Sequence, residues 1–207
     1  LYYKALCDVL RSREFPQEWK SWIAFLAMKK GEDPRELGRR RDLWLMPHSL
    51  KVAARMLTGE FERAAWEGVP GSQAGFTKDA NAPGQTLTLR AHRERCRQRR
   101  QGYYVLFADY GTFFMSIAKE VMAKCEAWHG VTPELSEVML AMQDGLSGRA
   151  ETAYGLTDEF KMEGVACGQG HECSPSRSKL VISLIQHAVS KFARGYRFGD
   201  VAVPQVY

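Results

Sequence analysis

Residues able to do chemistry collect in a few stretches of this chain. Asp109 closes the run Gly102-Tyr103-Tyr104-Val105-Leu106-Phe107-Ala108, just ahead of Gly111 and a helical pattern. β-branched and aromatic residues at that density predict a buried strand that gives way to a turn. An acid so placed suits two roles: it caps a turn or helix, or it offers a carboxylate to a metal ion. A second stretch is Gly164-Val165-Ala166-Cys167-Gly168-Gln169-Gly170-His171-Glu172-Cys173-Ser174-Pro175. Its glycines free the backbone to approach a ligand, Gln169 is both donor and acceptor, and Ser174-Pro175 opens a helix with a cap and a preset φ. Such a segment is either an ordinary turn or a loop that contacts a nucleotide edge. The third stretch is basic: Arg90, His92, Arg93, Arg95, Arg97, Arg99 and Arg100. It reads as a solvated helix face with cations near the C-terminus, or as a phosphate-backbone contact.

Other arrangements carry less. Cys167, His171 and Cys173 are zinc ligands by type, but their spacing matches no common zinc motif and no fourth ligand pair is nearby. His48, His92, His129 and His187 each sit alone. No Ser/His/Asp or Cys/His nucleophile arrangement, P-loop or dinucleotide fingerprint stands out.

These residues need elements to hold them. Apolar spacing predicts a helix from Leu1 to Arg13, closed by Pro16, and a strand over Trp19 to Met28 that runs into Lys29-Lys30 and a Gly31/Asp33/Pro34 turn. Arg39-Arg40-Arg41 then precedes a returning apolar segment, Leu43 to Met46, so two strands flank a basic tip. Helices follow over Pro47 to Trp66 and Gly84 to Arg100, joined by a connection that holds Ser72-Gln73-Ala74-Gly75-Phe76. After the Asp109 strand come helices over Phe113 to Trp128 and Pro133 to Leu146, and a hairpin from Gly148 to Met162. The glycine loop follows, then a helix over Ser176 to Arg194 and a strand starting at Val201. Strands and helices alternate irregularly, which predicts an α+β fold.

The totals bound the function. At 207 residues and 45% apolar content the chain can bury a sizeable core, as one domain or two small lobes. A net charge of +5 suits a polyanionic partner without demanding one. Five cysteines at irregular spacing predict reduced thiols and an intracellular protein. No apolar run reaches the roughly 18 to 20 residues of a membrane span, and no signal-peptide pattern is visible. The chain opens at Leu1, inside an amphipathic pattern, as a piece of something longer does.

Read in order, several blocks resemble a reverse transcriptase domain, closest to the type of non-LTR retrotransposons and group II introns. They are Pro16-x-x-Trp19-Lys20, Lys29-Lys30-Gly31, Arg41 to Pro47 followed by Lys51, Gln73-Ala74-Gly75-Phe76, Phe107-Ala108-Asp109 with Phe114, and Gln169-Gly170-x-x-x-Ser174-Pro175. The resemblance covers nearly the whole chain. It implies right-hand polymerase fingers over residues 1–101, including the start of the palm, and a partial palm over 102–207 with an antiparallel sheet packed on helices. A thumb is absent.

The resemblance also implies roles. Asp109 matches the first catalytic aspartate, a ligand of two Mg²⁺ ions, and the Tyr110 carbonyl faces the metal carried by the nucleotide. In a two-metal displacement one ion activates the primer 3′-hydroxyl and the other neutralises charge on the triphosphate. Phe114 matches the aromatic gate against a ribose 2′-hydroxyl, and Gln169 and Gly170 match the loop lining the nucleotide pocket. Lys29, Lys30 and Arg41 match cations that clamp the triphosphate. Lys51, Gln73, Gly75 and Phe76 fall in blocks close to the template, and Arg93, Arg97 and Arg100 add a nucleic-acid surface. The implied partners are an RNA template, a DNA primer and dNTP, without a membrane. The implied location is intracellular, and nuclear during retrotransposition in a eukaryotic host.

Departures from the pattern matter. Where the family usually reads Arg-Pro-Ile-Ser-Leu, this chain has Arg41-Asp42-Leu43-Trp44-Leu45, which sets an acid beside the clamp arginine. The usual Lys-Ala-Phe-Asp after the catalytic strand is Thr112-Phe113-Phe114-Met115 here, and the loop before Gln169 is longer. The family's other two metal-binding aspartates lie in a Tyr/Phe-x-Asp-Asp turn that residues 201–207 do not reach. One carboxylate of three cannot hold two Mg²⁺ ions, so these 207 residues alone are expected to be inactive. A decayed or domesticated relative that binds RNA or RNA–DNA hybrid without catalysis is the alternative expectation.

Overall fold

The computed structural model describes residues 1–28, 31, 40–65, 68–192, 196–198 and 201–203. Helix α1 (Tyr2–Ser12) ends at Arg13, which turns left-handed at φ 61°, and a 3₁₀ turn over Gln17–Trp19 leads into strand β1 (Ser21–Met28). Strand β2 (Arg40–Leu45) returns antiparallel beside β1, with Ala24 opposite Trp44. The two-strand lobe is therefore present. Most of its basic tip, with Lys29 and Lys30, lies outside the described residues.

Helix α2 (His48–Ala65) buries Leu50, Ala53, Ala54 and Phe61, the stripe that its apolar spacing predicts. Helix α3 (Ala82–Gln98) starts where Asn81 accepts the amide of Gly84 at 2.8 Å, with Pro83 in its first turn. Helices α4 (Phe113–Ser116), α5 (Lys119–Trp128) and α6 (Pro133–Ala141) follow. The single helix expected over Phe113 to Trp128 is interrupted at Ile117-Ala118. There Ala118 bridges to Val165, and the Ile117 carbonyl accepts the Ala166 amide at 3.1 Å, so pairing with a segment distant in sequence displaces the helical bonds.

Strand β3 (Ser147–Thr152) pairs antiparallel with β4 (Gly155–Leu156) and with β5 (Phe160–Lys161), and parallel with β1. The order is β2-β1-β3-β4, with β5 also on β3. The sheet's inner face carries Trp22, Ala24 and Trp44, and small residues on β3 make room for the rings. A Cβ on Gly148 would lie 2.6 Å from the Trp44 ring. The opposite face shows Ile23 opposite Leu45 and Phe25 opposite Leu43, all exposed. Helix α7 (Ser174–Phe192) buries a polar set that includes Ser176, Arg177, Ser178 and Ser183. Short strands β6 (Tyr196–Phe198) and β7 (Val201–Val203) form their own hairpin.

The fold is α+β, but its main sheet is mixed, not the antiparallel palm sheet expected. The largest correction concerns residues 103–109, which are not a strand and do not pair with 201–203. Tyr104, Leu106 and Phe107 are 97%, 91% and 82% exposed, far from buried. A strand is stable only when its N–H and C=O groups find a neighbouring strand. Among the described residues this segment has none. Its tie is the Tyr103 hydroxyl, which donates to the Leu89 carbonyl at 3.2 Å.

Candidate nucleotide and nucleic-acid site

The glycine loop is held between α4 and the β1–β2 lobe. Gly168 lies against the fully buried Trp22, where a Cβ would come within 2.5 Å of the ring. Gly170, at φ 99°, meets the main chain of β2, where a Cβ would lie 2.4 Å from the Trp44 carbonyl oxygen. Ala166 and Cys167 cluster with Ile117 and Met122, and Phe113 and Phe114 pack against them. Gln169 between these anchors is half-buried, and Gly170 is exposed. Glycine is needed at 170 for both its φ and the close approach.

Phe76 brings in the connection before α3. Its ring meets that of Phe114 edge to face at 5.9 Å, and Phe113 in turn touches Phe114 and Tyr110. Phe76 and Thr112 adopt left-handed backbone at φ 54° and 49°, unusual for an aromatic and a β-branched residue. Such strain costs on the order of 1 to 3 kcal/mol per residue, and it collects where surrounding structure fixes a functional geometry. Both strained residues adjoin Phe114. Gln73 is buried and reads as a support of this turn: the Thr77 hydroxyl donates to its carbonyl at 2.8 Å. Gly75 beside it is half-buried.

The structure thus brings Phe76, Tyr110, Phe114, Gln169 and Gly170 around one junction, with Gly170 against Trp44 of strand β2, while Arg41, three residues before Trp44, alternates onto the exposed face with Leu43 and Leu45. Asp109 precedes Tyr110 on the exposed irregular segment. The acid beside Arg41 is engaged, because the Trp44 indole N–H donates to Asp42 Oδ2 at 2.9 Å. Lys51 is half-buried in the first turn of α2.

Helix α3 contributes no side chain to either hydrophobic cluster among the described residues. Arg90, Arg93, Arg97, Arg99 and Arg100 are exposed on it and just beyond it. Arg93, Arg97, Gln101 and Tyr103 line an open depression there. Arg97 also pairs with Glu94 at 3.0 Å, which lowers the pKa of Glu94.

Metal-binding capacity is limited. Among the described residues no three His, Cys, Asp or Glu side chains gather to hold an ion. Asp109 and the Tyr110 carbonyl supply three oxygen donors at most, which does not meet the near-octahedral demand of even one Mg²⁺ without further ligands. At the other candidate, the Cys173 amide donates to His171 Nδ1 at 3.1 Å, so that nitrogen is occupied. Burial, with the Arg177 charge adding, pushes His171 down to about 3, and burial pushes the Cys167 and Cys173 thiols up to about 11.

Sequence reasoning passed over the residues beneath the loop: Glu126, Gln143 and Arg177, all fully buried. A signal existed for Glu126, which falls four residues after Met122 on the buried face of α5. For Gln143 and Arg177 the only cue was a polar residue within an apolar pattern. A scan against protein-family models and a search of curated proteins both give no match. No helix among the described residues is long and apolar enough to cross a membrane.

Proposed function

We propose that these residues are the fingers and part of the palm of an RNA-directed DNA polymerase of the reverse transcriptase type. The parent protein extends a primer 3′-hydroxyl on an RNA template with Mg²⁺ and dNTP. The observation that carries this reading is the junction itself: Phe76, Phe114 and the Gln169-Gly170 loop are far apart in sequence and adjoin one another in space, with Gly170 against Trp44 of strand β2. In this reading Phe114 abuts the sugar, Gln169 and Gly170 line the nucleotide pocket, and Arg41 meets the triphosphate with Lys29 and Lys30. The exposed arginines of α3 hold the nucleic-acid backbone without reading its sequence.

No chemical step is assigned to these residues alone, because among the described residues no three His, Cys, Asp or Glu side chains gather to hold an ion. A second reading, a domain that binds RNA or hybrid without catalysis, draws on the exposed arginines of α3. One experiment separates the two. The protein encoded by the full gene is given RNA template, DNA primer, dNTP and Mg²⁺. Synthesis that Asp109→Asn abolishes, with hybrid binding retained, is the expected result. Binding without synthesis favours the second reading, and the absence of both sinks each.

A further inference from the structure

Loop 166–170 has no regular secondary structure, so its main-chain groups find partners outside a ladder: the Ala166 amide donates to the Ile117 carbonyl at 3.1 Å and the Gly168 carbonyl accepts the His171 amide at 3.0 Å, and side chains take up others. Both polar groups of Gly168 are held: its amide donates to Gln143 Oε1 at 2.9 Å, and its carbonyl accepts the Ser174 hydroxyl at 2.8 Å. Arg177 Nη1 donates to the Ala166 carbonyl at 2.7 Å, while Arg177 Nε donates to Glu126 Oε1 at 2.5 Å. The Ser136 hydroxyl donates to the second oxygen of Glu126. Arg177 and Glu126 are 0% exposed.

Stability alone does not account for these residues. A buried ion pair seldom outperforms well-packed apolar residues of similar volume. Gln143 also leaves its Nε2 without an acceptor among the described residues, a cost that a methionine of similar shape avoids. What the polar set does supply is a fixed location for the Ala166 carbonyl and for both main-chain groups of Gly168, immediately before Gln169.

We propose that Gln143 and the Arg177–Glu126 pair are positioning residues that clamp loop 166–170 and thereby aim Gln169 and Gly170 at the nucleotide. The clamp itself rests on geometry, and its link to a nucleotide rests on the polymerase reading above. Two variants are paired in the test because loss of one charge alone can prevent folding. They are Gln143→Met and the double variant Glu126→Leu with Arg177→Met, which removes both charges together.

Amide hydrogen exchange of the 207-residue chain reads the clamp directly. Gln143→Met raises exchange at the Gly168 amide about tenfold, as loss of one hydrogen bond does, while α2 amides keep their protection. The double variant raises exchange across 166–170. Wild-type exchange at the loop in both variants overturns the proposal. In the protein encoded by the full gene, Gln143→Met raises KM for dNTP about fivefold or more, with kcat within twofold and affinity for primer–template unchanged. Faster loop exchange with an unaltered KM overturns the link to the nucleotide. If the wild-type product makes no DNA, the polymerase reading falls and takes that link with it, and the exchange result decides the clamp by itself.

Discussion

Replacing Gly170 by alanine adds one methyl group where two obstacles meet. The backbone there has φ 99°, a conformation L side chains rarely adopt, and the new Cβ would lie 2.4 Å from the Trp44 carbonyl oxygen. That oxygen cannot retreat cheaply, since Trp44 is paired with Ala24 inside the β1–β2 ladder. The backbone term alone costs about 1 to 2 kcal/mol, and overpacking against fixed structure adds about 1 to 3 kcal/mol. A loss of about 2 to 5 kcal/mol follows, a large part of the about 5 to 15 kcal/mol that holds a typical domain together. Two neighbouring glycines separate the terms. Gly164 has φ 76° with open space around it, so Gly164→Ala carries the backbone term only. Gly168 lacks the positive φ but faces the buried Trp22 ring at 2.5 Å, so Gly168→Ala carries the packing term only. Urea unfolding at constant m-value gives the ranking. If Gly170→Ala is no worse than Gly164→Ala, the Trp44 carbonyl is not a wall and the reasoning fails.

Stability should depend on pH at both ends. Burial depresses His171 to about 3 and lowers His92 and His129 as well, so below the ordinary 6.5 the unfolded chain binds protons that the native chain refuses. Stability from His171 is complete above pH 6.5 and is lost as pH falls toward 3, by at most about 1.4 kcal/mol per pH unit, and His92 and His129 act in the same direction. His171→Gln should flatten the fall of the urea midpoint between pH 6.5 and 4.5, and an equal slope in both proteins contradicts the assignment. With their thiols pushed up to about 11, Cys167 and Cys173 contribute stability that is complete below pH 9 and lost as pH rises toward 11. A midpoint that stays level across that range tells against it. Changing Arg93, Arg97 and Arg100 together to glutamine should weaken binding to an RNA–DNA hybrid. It should also lower the slope of log K against log salt by about 0.7 to 0.9 for each phosphate that is no longer neutralised. Identical slopes for variant and wild type remove α3 from the interface.

Local chemistry was enough to locate much of this molecule. The apolar stripe of α2, the Ser174-Pro175 start of α7 and the paired strands β1 and β2 all follow from residues within a few positions of one another, whereas α3 begins two residues before the Gly84 that its spacing indicated, at the Asn81 cap. The glycine loop and the aromatic and basic candidates around it were also visible, because glycine, arginine and phenylalanine carry their physical roles wherever they stand. Relations between distant segments were not visible. Strand β3 lies parallel to β1 across more than a hundred intervening residues, and no local pattern encodes that choice. The ion pair of Arg177 with Glu126 joins residues 51 apart, and only the packing of α7 on α5 shows that the two charges share one dry space. Residues 103–109 make the division plain. Their composition specifies a preference for strand, yet a strand comes into being through hydrogen bonds to a neighbour, and tertiary structure alone decides whether that neighbour is there.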